Sequence, residues 1–168
     1  VGYFDVNQKR GWRWNTAKAF LRPVCMSRPN FTLWTQAQVS RLQLERDADG
    51  TWRCRGVDAV KDGQRVTAVA TREVILSAGS IGSVQVLQLS GIGDAARLAA
   101  AGVTPLHQLP GVGTNLQDHL QIRAVYKVRG TKTLNRIASS LLGKAGIGLQ
   151  YLLTRSGPMS MSPSQLGA

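Results

Sequence analysis

The chain has 168 residues, 43% of them hydrophobic, with 21 basic against 9 acidic side chains and a formal charge of +12. That length accommodates one sizeable core, and no apolar run approaches the roughly eighteen residues that a membrane-crossing helix needs. Two cysteines, Cys25 and Cys54, with no second ligand pair argue against a disulfide framework or a cysteine-rich metal centre, and ordinary thiols in a reducing cytoplasm are expected.

Val1-Gly2-Tyr3-Phe4 enters patterned sequence at once, and Ser160-Met161-Ser162-Pro163 leads to Ala168 without a closing helix, so an internal piece of a longer polypeptide is expected. Asn15 can cap a short helix through Ala17, Ala19, Phe20 and Leu21 that Pro23 ends. Arg28-Pro29-Asn30 is turn chemistry. Phe31, Leu33 and Thr35 alternate, and Val39, Leu42 and Leu44 follow, which predicts two extended pieces closed by a turn at Asp47-Ala48-Asp49-Gly50. Trp52 to Val60 and Arg65 to Ala70 are extended again, and Lys61-Asp62-Gly63-Gln64 makes them a hairpin. This stretch reads as a small antiparallel insertion.

Glu73-Val74-Ile75-Leu76 has contiguous apolar residues, the pattern of a parallel strand buried on both faces. It runs into the small residues Ser77-Ala78-Gly79. Ser83 is then expected to cap a helix with Val84, Val86, Leu87 and Leu89 on its apolar face, and Gly91 and Gly93 give it a flexible exit. Such a strand, turn and helix has the layout of a nucleotide-binding crossover, because the small residues let a ligand approach the backbone and the helix start. Tight strand-to-helix packing with no ligand is the competing reading of the same residues. Asp94 can cap a second helix to Ala101 with Gly102 as its stop. Val103 to Leu109 is expected to be extended and Pro110 to Gly113 a loop. Ile122 to Val128 has strand character. Thr133 to Leu153 is helix-like but interrupted at Gly143, Gly146 and Gly148, and a change of domain is expected near Asp118.

The charge is unevenly spread. Lys9, Arg10, Arg13, Lys18, Arg22 and Arg28 face Asp5 alone, and after Asp118 come seven bases and no acid. A basic nucleic-acid-binding module is therefore one function class to weigh, since a dense basic face attracts phosphate without further specificity. No zinc-finger spacing, basic-zipper pattern or aromatic-basic RNA motif accompanies the bases, and no nucleic-acid partner is expected.

Taken in order, Arg72 to Gly79, the helix through Ser90-Gly91-Ile92-Gly93, and Leu109-Pro110-Gly111-Val112-Gly113 with Asn115-Leu116-Gln117-Asp118-His119 resemble successive blocks of the glucose-methanol-choline family of flavin oxidoreductases. Gly11 to Leu21 and Arg28-Pro29-Asn30-Phe31 resemble its earlier blocks, so the resemblance covers about the whole chain. Within the family the wording resembles the choline-dehydrogenase-like alcohol dehydrogenases. One departure is Val84, where the family usually has proline after the helix-capping serine; at a first helical turn that change would loosen the helix start by about 0.5 to 1 kcal/mol.

The resemblance implies an α/β fold: part of an FAD-binding, Rossmann-like domain over residues 1–118 with the antiparallel insertion, then the start of an α+β substrate domain over 119–168. It implies FAD as cofactor, with Ala78 and Gly79 near the adenosine and Val39 offering backbone contacts to adenine. Asn115, Asp118 and His119 fall in a block near the flavin or the domain junction, where a loop held by its own hydrogen bonds is the bland alternative. For Val39 that alternative is a plain core valine. The family's glycine-rich dinucleotide fingerprint is absent from this sequence. Its catalytic base belongs to a distant C-terminal region, so neither His107 nor His119 inherits that role. The implied reaction of the intact enzyme is oxidation of a primary alcohol to an aldehyde by hydride transfer to flavin, with the segment alone inactive. A flavin- or nucleotide-binding remnant without catalysis is the nearest alternative. Choline, a long-chain alcohol and a polyether alcohol all suit the family, as do oxygen and a quinone-type electron acceptor. The expected location is the cytoplasm, with membrane association through the acceptor as a variant.

Overall fold

The computed structural model describes residues 2–3, 5–122, 124–161 and 166–167. They fall into two compact units, one made of Val1–Leu33 with Ile122–Ala168 and the other of Trp34–Gln121. The architecture is mixed α/β with antiparallel sheets.

The first unit opens with β1 (Gly2–Tyr3), then β2 (Gln8–Lys9) and β3 (Trp12–Arg13), which pair as a tight antiparallel ribbon. Arg10 and Gly11 both take positive φ at its turn, 53° and 73°. Asn15 caps as expected, its Oδ1 accepting the Lys18 N–H at 3.0 Å. A wide π-type turn over Ala17–Leu21 then passes into helix α1 (Arg22–Ser27). Pro23 therefore does not end the helix. It lies just past the point where the wide turn passes into α1, and the helical chain continues through it to Ser27.

The second unit is built on a meander of β4 (Ala37–Arg46), β5 (Trp52–Lys61) and β6 (Gln64–Val69), paired in the order β4-β5-β6. The β5–β6 connection is the expected hairpin, with Asp62 and Gly63 at φ 50° and 79°, the two left-handed residues of a type I′ turn. The turn at Asp47–Gly50 is closed by the Gly50 N–H on Asp47 O at 2.9 Å. Phe31 to Thr35 pairs with no strand among the described residues.

Val74-Ile75-Leu76 is not a strand either. A parallel strand buried on both faces needs neighbours on each side; none of the described strands runs beside it, and Ile75 is 77% exposed. The chain then enters helix α2 (Gly79–Leu89). The helix begins five residues earlier than a cap at Ser83 predicts, with Ala78 as N-cap. Val84 thus lies in the second turn, where an α-helix uses the backbone N–H and a proline would cost about 3 kcal/mol. Valine suits this helix, and the loosening expected from the departure does not arise.

After α2 come β7 (Ile92–Gly93), α3 (Ala95–Ala100) and β8 (His107–Gln108), with β7 and β8 parallel. Asp94 caps α3 as expected, Oδ1 accepting the Arg97 N–H at 3.0 Å. The buried hydrophobic side chains of the described residues, Ala59, Val86 and Leu98, all belong to this unit.

The first unit resumes at Ile122. Apart from Arg123, which lies outside the described residues, Ile122 to Val128 forms no strand, and Val125 and Tyr126 are 91% and 81% exposed. The expected long helix is two: α4 (Leu134–Ile137) and α5 (Leu141–Thr154). The break falls before the glycines, because Ser140 caps α5 through Gly143 N–H at 3.0 Å. Gly143 lies so close to Ile137 O that any Cβ would collide with it. A short 3-10 turn at Pro158–Ser160 and β9 (Leu166–Gly167), antiparallel to β1, complete the unit.

Candidate functional site

The residues singled out from the sequence lie in the second unit, on β4, at the start of α2 and in the loop after β8. Ala78 and Gly79 form the entry to α2. Gly79 has φ +82°, and a Cβ built on it meets nothing within 4 Å, so open space lies in front of the helix start. The first turn holds no acidic residue, and its leading N–H groups have no intrahelical acceptor. Ser83 reaches back, its Oγ accepting the Ala78 N–H at 3.1 Å. A helix start with small, exposed residues and no carboxylate is chemically suited to a ribose or phosphate oxygen.

Val39 is half-buried on β4 opposite Ala59, and its carbonyl accepts Gln38 Nε2 at 3.3 Å. The register slips between Val39 and Arg41, so the strand bulges at Ser40, whose hydroxyl donates to Asp58 O at 3.0 Å. Such a bulge re-aims the backbone groups beside it.

β4 and α2 are joined by a side chain that the sequence offered within a motif block but to which it gave no role. Ser90, only 5% exposed, accepts the Leu42 N–H at 2.8 Å and donates to Val86 O at 2.6 Å. The rest of the Ser-Gly-Ile-Gly run continues the junction. Gly91 turns the chain at φ +81°, and its carbonyl takes the N–H groups of Leu106 and His107 at 2.8 and 3.0 Å. The signal available in sequence was a lone serine between an apolar helix and a glycine; its partner lies 48 residues away and could not be read locally.

The Pro110–Gly113 loop rests on α2. Gln88 Nε2 donates to Val112 O at 3.4 Å, and a Cβ at Gly113 would lie 2.7 Å from Gln88 Nε2 and 3.2 Å from Val84 Cγ1. Asn115 follows at φ 56°, with Nδ2 3.5 Å from Thr114 Oγ1. Asp118 and His119 are exposed, and the bond between them is local, the His119 N–H on Asp118 Oδ1 at 2.7 Å. The structure thus brings Asn115 to the loop packed on α2, while Asp118 and His119 stand on exposed chain beyond it.

The meander carries a separate ionic cluster. Asp58 accepts Arg41 Nε, Gln43 Nε2 and Thr67 Oγ1 at 2.9, 2.9 and 2.8 Å. These bonds, Arg41's first, hold its carboxyl below the ordinary carboxylate value. Asp47 is lowered likewise by Arg53, then Arg55, at 2.5 and 2.6 Å. Both clusters use their charges within the sheet and offer no ligand site. Among the described residues there is no group of acids, cysteines and histidines able to hold a metal ion, and no helix is long and apolar enough to cross a membrane.

The sequence model of the family described as GMC oxidoreductase matches residues 1–121. The chain is 44% identical over 156 residues to the mitochondrial choline dehydrogenase of Mus musculus, covering 93% of this chain and 25% of that protein. It is 35% identical over 170 residues to an alcohol dehydrogenase [acceptor] of Pseudomonas putida, covering 99% and 30%. Among solved structures, a formate oxidase superposes with a TM-score of 0.73 at 29% identity, over 90% of this chain and 25% of that one. An FAD-dependent oxidoreductase from Chaetomium thermophilum superposes with a TM-score of 0.77 at 24% identity, over 92% and 26%, a likeness of fold. The chain spans about a quarter of the length of the curated relatives it matches.

Proposed function

The chain belongs to the GMC oxidoreductase family, and on that premise we propose that it is a central segment of an FAD-dependent oxidoreductase acting on CH–OH groups, oxidising a primary alcohol to an aldehyde. The observation that carries this reading is the start of α2: Gly79 at φ +82° with open space where a Cβ would sit, beside the exposed Ala78 and N–H groups that no carboxylate neutralises. These residues fit the adenosine end of FAD, and Val39, on the bulged β4 joined to α2 through Ser90, is assigned to the adenine. Asn115 is assigned to the same region through its loop on α2, with Asp118 and His119 as a second tier. Residues 1–118 are assigned to the FAD-binding domain and 119–168 to the start of the substrate domain.

When bound, FAD supplies the two-electron acceptor for the alcohol carbon. This chain's own residues bind and orient. The helix start and the β4 backbone fix the adenosine by main-chain groups, which need no titratable side chain and hold at any pH where the unit is folded. His107 and His119 are assigned no proton transfer. The substrate is assigned to the small alcohols, choline first, because the choline dehydrogenase relative is 44% identical; the electron acceptor is not assigned. The cytoplasm is the proposed location, with membrane association through the electron acceptor as a variant.

The test is to purify the full-length polypeptide that contains this segment, alongside residues 1–168 alone. The long form is expected to hold stoichiometric FAD that bleaches anaerobically with choline or another primary alcohol. Residues 1–168 are expected to hold little flavin and to turn nothing over. A long form without flavin, or a short form fully yellow and bleached by alcohol, would overturn the reading.

A further inference from the structure

We propose that Ser90 is a positioning residue for the adenosine half of the FAD site, its hydroxyl locking helix α2 to strand β4 so that Ala78 and Gly79 stand at a fixed distance from Val39. This rests on the reading of those three residues as adenosine contacts. β4 is the outer strand of the meander, so its outward N–H groups need acceptors from elsewhere. Leu42, three residues beyond Val39, finds one in Ser90 Oγ at 2.8 Å. The hydroxyl proton is committed to Val86 O at 2.6 Å, which leaves the oxygen lone pairs for Leu42. Only a group that donates and accepts at one atom satisfies both ends, and the site is 5% exposed, so water is poorly placed to substitute.

The geometry amplifies a small loss. α2 is an eleven-residue helix joined to β4 at its C-terminal end by this bond, with the adenosine contacts at its other end. A rise of about 1.5 Å per residue makes it a lever of about 16 Å, so a pivot of roughly 10° at Ser90 would move Gly79 by about 3 Å. That displacement exceeds the tolerance of a hydrogen bond. Ser90 would touch no part of the cofactor and act through the placement of residues that do.

The experiment uses the full-length polypeptide, stripped of flavin, with wild type, Ser90→Ala, Ser90→Cys and Ser90→Thr compared for FAD, ADP and riboflavin dissociation constants and for apo-protein Tm. Ser90→Ala is expected to weaken FAD and ADP alike, by on the order of tenfold, the size that an unsatisfied buried N–H implies. Riboflavin affinity should not change, and Ser90→Thr, which keeps the hydroxyl, should restore ADP binding. Should Ser90→Ala fail to fold, Ser90→Cys, close in size and a weak acceptor, is read in its place with the same expectation. Wild-type ADP affinity in the folded Ala or Cys variant, with only Tm lowered, would overturn the positioning role. A wild-type protein that binds neither FAD nor ADP would instead sink the underlying FAD reading, and the Ser90 role with it.

Discussion

Gly79 and Gly91 bracket α2 at nearly the same positive φ, +82° and +81°, but their surroundings differ. A Cβ at Gly79 meets open space, so Gly79→Ala should cost only the left-handed backbone penalty, about 1 kcal/mol. A Cβ at Gly91 would lie 2.6 Å from Thr104 O and 2.8 Å from Leu106 Cγ. That carbonyl belongs to the segment whose next N–H groups bond Gly91 O, so it cannot retreat without breaking the β7–β8 junction, and Gly91→Ala should cost about 3 kcal/mol or more. Urea unfolding of both variants measures the gap; equal losses would mean that the Thr104–Leu106 segment yields freely. Gly79→Asn separates ligand from fold at the same site. It should weaken FAD binding severely in the full-length protein while shifting stability no more than Gly79→Ala, since asparagine tolerates the left-handed backbone and its side chain occupies only the space assigned to adenosine. Ala78 and Gly79 could be singled out in sequence because their information is local, two small residues in a row, although the helix was expected to begin at Ser83 and not beside them. Ser90 was not, because its meaning depends on an N–H of a strand that the sequence does not place beside it.

At the scale of elements, the meander is held by charge where its apolar burial is thin. Asp58 on β5 gathers Arg41 and Gln43 from β4 and Thr67 from β6, so one carboxylate ties all three strands. Its lowered pKa fixes the sign of the pH dependence. The stabilisation is fully present above the ordinary value of 3.8 and is lost as pH falls through the lower folded value. Asp58→Asn should therefore lower Tm at neutral pH and flatten the acid limb of the stability curve below that value. An unchanged acid limb would assign the acid loss to Asp47 and Asp49, whose values are lowered too. The hairpin of this meander could be read from four residues, since Asp62-Gly63 encodes its own turn. Val74–Leu76 could not be placed from its composition, because a buried parallel strand is defined by neighbours, and the described residues supply none. The glycines of α5 misled for the opposite reason: they suggested breaks, whereas the break is set by the Ser140 cap and by the room Gly143 leaves for Ile137 O.

The whole molecule shows how much of its apolar surface lacks cover. Ala59, Val86 and Leu98 are its buried hydrophobic residues among those described, while Leu120, Ile122, Val125, Leu141 and Leu142 are each more than 84% exposed. Exposure on this scale exceeds what an independent domain ordinarily tolerates, and it recurs in both units. Opposing collapse is a charge of +12, with seven bases and no acid after Asp118. The two terms respond oppositely to salt. Residues 1–168 produced alone should bind a hydrophobic dye strongly and self-associate more as ionic strength rises, because salt screens the repulsion and leaves the apolar attraction intact. Binding to DNA or RNA through the same bases would instead weaken steeply as salt rises. Light scattering with and without an unrelated duplex, across a salt series, therefore reads both function classes in one experiment. Rising association without the duplex and no stable complex with it supports the oxidoreductase segment. A monodisperse, dye-silent chain that holds the duplex at low salt and releases it at high salt would favour the nucleic-acid module, because a chain of that kind would need no further polypeptide to cover its leucines.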